Sequence, residues 1–130
     1  MIGQPPPFAL GTTVFRFKAL ASHAGRASLG GDREIALACF AVARLAAGLL
    51  PPFLFAPGDL AARVTATRQW LASLTLSNSA RAAAVSVIDA VGTGNRRSIV
   101  AGLSTLIEAS VRQLDQASVA ELHELMGELG

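Results

Sequence analysis

A chain of 130 residues with 11 basic and 9 acidic side chains is long enough for one domain, and buries a core without disulfides or metals. Its hydrophobic fraction of 52% lies at the upper edge for a globular protein, and alanine makes up about a fifth of the chain, so closely packed helices are expected. The net charge of +2, with Lys18 the single lysine, is too small to point to nucleic acid, and the lone Cys39 excludes an intramolecular disulfide.

Residues 1–12 read as an extended arm, because Pro5, Pro6 and Pro7 favour polyproline geometry. They carry no basic n-region, and the prolines would interrupt an apolar one, so no secretory signal is expected and the protein is assigned to the cytoplasm. Residues 13–130 are expected to form a single helical domain.

Residues 14–27 are ambiguous. Val14, Phe17, Leu20, Ala21 and Ala24 fit a helix, whereas Phe15 and Phe17 alternate with Arg16 and Lys18 as a strand would. Helix is the favoured reading. Gly30 and Gly31 then break the chain, and Asp32 caps a helix over residues 33–50. Its stripe is Ile35, Ala38, Cys39, Val42, Ala46 and Leu49, and Leu37, Phe40 and Leu45 make the opposite side apolar too. Such a helix belongs at the centre of the fold. Residues 35–55 are long enough to suggest a membrane span, but Arg44 lies inside the run and Pro51 and Pro52 break it.

Pro51, Pro52, Pro57 and Gly58 mark a loop, with Phe53, Leu54 and Phe55 folded back or presented to a partner. Asp59 starts the next helix, with Leu60, Val64, Thr67, Leu71 and Leu74 as its buried stripe and Trp70 beside it. Ser77 or Asn78 caps a helix over residues 79–91, with Ala84, Val87, Ile88 and Val91 inward. Gly92-Thr93-Gly94 ends it, since glycine accepts the left-handed conformation of a helix C-terminus. Asn95 opens a helix with Ile99, Leu103, Leu106, Ile107, Val111 and Leu114 on one face. Ser118-Val-Ala-Glu121 has the form of a capping box, so a last helix is expected over residues 119–129. The predicted fold is all-α: a compact bundle of five to six amphipathic helices.

Catalytic chemistry finds little support in these residues. The loop Gly92-Thr93-Gly94-Asn95-Arg96-Arg97 could cradle an anion at a helix N-terminus, with Gly94, Arg96 and Arg97 as the contacting residues. The dinucleotide fingerprint, however, needs a third glycine where Arg97 stands and a strand before the loop. His123 has Val119 and Gly127 at the helical positions where a second metal ligand would stand. Glu121, Glu124 and Glu128 read as a solvated face. His23 lacks the lysine-glycine pair usual after a phosphoaccepting histidine. Cys39 falls on a buried stripe and reads as a structural thiol. No enzyme activity, cofactor or metal is expected.

Four short pieces in order carry a family resemblance. Arg33-Glu34 opens a long apolar helix; Thr67-Arg68-Gln69-Trp70 resembles an Asn-Arg-x-Trp turn; Arg81-Ala82, with Ser86 and Val91, resembles a Leu-Arg-Ala-x-x-x-Ser helix; and Leu106-Ile107-Glu108 resembles a Leu-Ile-Glu near a C-terminus. Together, residues 33–114 resemble the flagellar biosynthesis regulator FlaF family of alphaproteobacteria. That resemblance implies a small cytoplasmic helical protein without an active site. It would bind flagellin or its regulators and couple flagellin synthesis to export.

The expected function is therefore that of a non-enzymatic adaptor, regulator or chaperone that binds an amphipathic helix of a protein partner. Its groove walls would be the helix carrying Trp70 and the helix of residues 99–114, with Arg68, Trp70, Arg81, Leu103 and Leu106 at the partner surface. Homodimerisation would hide apolar surface that a small bundle leaves exposed. Two alternatives stand beside this reading. One is an arginine-dependent nucleic-acid or anion-binding regulator using Arg96 and Arg97. The other is a membrane-associated structural subunit anchored by residues 35–55.

Overall fold

The computed structural model describes residues 16–26 and 31–130. The predicted arm of residues 1–12, and Val14 and Phe15 at the start of the first predicted helix, lie outside these. Six helices follow in order: α1 (Lys18–Arg26), α2 (Gly31–Ala47), α3 (Pro57–Leu71), α4 (Asn78–Thr93), α5 (Arg96–Ser110) and α6 (Gln116–Leu129). No strand occurs among the described residues. The ambiguous first segment is helical, with Phe17, Leu20 and Ala24 buried and Lys18, Ser22 and Arg26 exposed.

Every residue from Glu34 to Gly48 is buried. The two apolar sides read from the sequence leave α2 without a solvent face, and α1, α3, α4, α5 and α6 all pack on it. Ala36, Ala38, Ala41, Ala43, Ala46 and Ala47 are all buried, and their small side chains let several neighbours approach one helix closely. Phe40 supplies bulk where space remains; its ring meets Phe17 edge-on with centroids 6.2 Å apart. The helix ends at Ala47 rather than Leu50. The chain tightens there, with Leu49 N bonding to Ala46 O and Leu50 N to Ala47 O, and two prolines follow, which cannot extend the ladder.

The caps show why the later helices start and stop where they do. Pro57 takes the first helical position of α3, where its missing N–H is no loss. Ser77 caps α4 by accepting from Ala80 N. Gly94 adopts φ +70°, which lets Asn95 N bond to Ala90 O and Gly94 N to Val91 O, both at 3.1 Å. Asn95 at once caps α5 through its side chain, which accepts from Ser98 N at 3.1 Å. A two-residue connection thus turns α4 into α5.

Several predicted boundaries differ. Gly31 begins α2 instead of breaking the chain, so Asp32 lies in the first turn and is not the cap; α3 likewise begins at Pro57, before Asp59. Val111 was placed on the inward face of a helix running to Leu114. The helix stops at Ser110, and Val111 in the following turn is 52% exposed. The predicted capping box at Ser118 is also not formed. Asp115 is the cap of α6, accepting from Ser118 N at 2.8 Å, so the helix starts three residues earlier and Glu121 points elsewhere.

Gly102 of α5 sits against Val87 of α4. A Cβ at position 102 would meet Val87 Cγ2 at 2.8 Å and Val87 N at 3.3 Å. A Cβ at Gly127 of α6 would meet nothing within 4 Å. The two glycines should therefore respond with opposite sign to alanine. Gly127→Ala should gain up to about 1 kcal/mol from helix propensity, whereas Gly102→Ala should lose about 1–3 kcal/mol from overpacking. Urea unfolding followed by circular dichroism measures both.

Candidate functional site

The α4–α5 hairpin carries a surface feature that could receive a partner. On α4, Ser79, Ala82, Ala83 and Ser86 follow the i, i+3, i+4, i+7 spacing of one helix face. On α5, Ser98, Ala101, Gly102 and Thr105 repeat it. These eight residues line an open groove of about 520 Å³. Ser79, Ala82, Ser86, Ser98, Ala101 and Thr105 are exposed, whereas Ala83 and Gly102 form the buried floor. The lining carries no charge; its hydroxyls are hydrogen-bonding groups, that of Thr105 already donating to Ala101 O at 3.1 Å.

The residues expected at the partner surface are placed elsewhere. Leu103 and Leu106 are fully buried, and Trp70 is 7% exposed and belongs to the same core. Arg68 pairs with Asp89 of α4, Nη2 to Oδ1 at 2.5 Å. Arg81 is half-buried and turned inward. Its guanidinium donates to Leu71 O at 3.1 Å and also to Leu74 O, binding carbonyls at and just after the end of α3. The predicted groove between α3 and α5 does not form, because both helices pack on α4 and make no substantial contact with each other. Gly94, Arg96 and Arg97, the anion-binding alternative, lie exposed in and after the hairpin turn. There the Asn95 side chain already takes one of the free N–H groups of α5.

Carboxylates that read as a solvated face hold helices together instead. Glu121 of α6 accepts from Ala19 N at 2.8 Å and Leu20 N at 2.9 Å, capping the N-terminus of α1 from another helix. Glu128 pairs with Arg16 through both carboxylate oxygens. His23 of α1 donates from Nε2 to Gln113 O at 2.7 Å, and its Nδ1 lies 3.5 Å from Asp115 Oδ2. Arg26 reaches the same Asp115 oxygen at 3.1 Å. Hydrogen bonding from Ser118, helped by Arg26 and the charge of His23, holds the Asp115 carboxyl below the usual carboxylate range.

Two charged residues of α2 are buried. Glu34 accepts from Thr75 N at 2.8 Å. Arg44 donates to Phe53 O at 3.2 Å and its guanidinium lies 4.0 Å above the Phe55 ring. Burial, and then the charge of Arg63, lower its pKa. Phe53 and Phe55 are thus folded back on the bundle, while Leu54 is 61% exposed. Cys39 is fully buried, its Sγ 3.9 Å from Ser110 Oγ. Burial pushes its thiol up to about 12, with the Ser110 hydrogen bond opposing. No group of three or more His, Cys, Asp or Glu able to hold a metal occurs among the described residues. Among the same residues, no helix is long and apolar enough to cross a membrane.

These contacts predict three measurable outcomes. Arg81→Ala removes two bonds from a charged donor and should cost about 2 kcal/mol of unfolding free energy, while Arg97→Ala, at an exposed site, should leave the urea midpoint unchanged. Asp115→Ala should cost about 1 kcal/mol at neutral pH through loss of the cap. Because the folded-state pKa of Asp115 is depressed, its ionic contribution is complete above an unfolded value of about 3.9 and fades as pH falls through the folded one. The gap between wild type and Asp115→Ala should therefore narrow below about pH 4 in acid titrations of stability. Cys39 acts in the other direction. Its folded-state pKa is raised, so stability should fall as pH rises above the unfolded value of about 8.5, and less steeply in Cys39→Ala. At pH 8 a thiol reagent should label the protein only on unfolding.

No family model matches the chain, and neither a curated protein nor a solved structure matches it.

Proposed function

We propose that the chain acts by binding, as a non-enzymatic helical adaptor or regulator whose α4–α5 groove receives an amphipathic helix of a protein partner. One observation carries this reading: two adjacent helices present small uncharged side chains in the same i, i+3, i+4, i+7 register along an open groove. Small side chains let a third helix approach at an axial distance of about 8–10 Å. A ridge of large apolar residues on that helix would fill the space they leave. The hydroxyls of Ser79, Ser86, Ser98 and Thr105 would meet the polar flanks of the same helix.

The resemblance to the FlaF family extends the proposal to a partner. In that reading the helix belongs to flagellin or one of its regulators, the setting is the bacterial cytoplasm, and binding couples flagellin synthesis to export. The arginine-dependent alternative relies on Arg96 and Arg97 beyond one end of the groove and predicts an affinity that falls steeply with salt. A homodimer would have Leu54 and Val111 as the exposed large hydrophobics to cover among the described residues.

The test is calorimetric titration of the purified chain with purified flagellin at low and raised salt, using wild type, Ala101→Arg, and Arg96→Ala with Arg97→Ala. Position 101 is exposed, so arginine there should fill the groove and leave the fold intact, which circular dichroism checks. Binding that changes little with salt and weakens at least about tenfold in Ala101→Arg is the expected result. Equal binding by wild type and Ala101→Arg would remove the groove. Loss with salt and with the double arginine variant would favour the alternative. Absence of flagellin binding by wild type would remove flagellin as the partner.

A further inference from the structure

We draw no further inference here: the strongest candidate, the exposed Leu54 at the tip of the α2–α3 loop above the stacked Phe53, Arg44 and Phe55 side chains, is an unpartnered apolar face, and nothing in the structure shows what covers it.

Discussion

From Glu34 to Gly48 no side chain of α2 faces solvent. A helix in that position imposes a condition on everything around it. Each of its sides must be covered, and each buried polar group must find a partner or carry a desolvation cost of a few kcal/mol. Five surrounding helices meet the first requirement. The Glu34 carboxylate and Nη1 of Arg44 find such partners, and in doing so they fix the two connections around α3. Glu34 takes the N–H of Thr75 and anchors the α3–α4 loop, while Arg44 takes the carbonyl of Phe53 and folds the α2–α3 loop inward. The residue that argues most strongly against residues 35–55 as a membrane span is thus also the one that organises the end of the helix.

A second set of contacts follows from the first. Helices that crowd one central helix end close to one another, so their free N–H and C=O groups can be satisfied by side chains from neighbours. Glu121 of α6 serves the start of α1, and Arg81 of α4 serves the end of α3. Asp115 caps α6 and also receives Arg26 and lies beside His23 of α1. These charged side chains act as structural connectors: Glu121 and Asp115 tie α6 to α1, distant in sequence, and Arg81 ties α4 to the end of α3 just before it. The groove between α4 and α5 is different, because its lining is uncharged and none of its exposed residues ties one helix to another. In the proposed reading, recognition falls to this uncharged face, while the charged connectors tie the other helices together.

Local periodicity carried the helices well, because burial in a bundle repeats every turn and leaves a mark in each segment. The stripes of Val64, Thr67 and Leu71, of Val87, Ile88 and Val91, and of Ile99, Leu103 and Leu106 are buried as read, and Gly94 ends α4 with the expected left-handed conformation. Boundaries were less legible where two caps competed. Asp115 and Ser118 can both cap a helix, and spacing does not rank them. Long-range partners were not legible at all: nothing near Glu121 says that its acceptors serve Ala19 and Leu20, about a hundred residues earlier. Trp70 on a helix edge fits a core anchor as well as an interface hot spot, and it is buried; spacing alone does not show that Arg81 turns inward to the end of α3. The sequence points to a groove between the helix carrying Trp70 and that of residues 99–114, not to the one between α4 and α5. Alanine, serine and glycine carry so little hydropathy that their alignment on two helices leaves almost no amphipathic signal.

Gly102 joins the two halves of this argument. It lies in the floor of the groove and also packs directly against Val87 of α4. The width of the groove therefore depends on the same contact that holds the hairpin together. Any side chain at position 102 would both raise the floor and push the helices apart, so shape and stability are coupled there. At Ser86 and Ala101 they are not, since those side chains point away from the contact and into solvent. Interiors packed at crystal-like density pass small displacements on to their neighbours, and α4 also packs on α2 and α3. A partner helix that spread the hairpin would have to move α4 against the buried centre of the molecule. A groove built on that backing presents a fixed surface, so the cost of ordering on binding falls mainly on the partner.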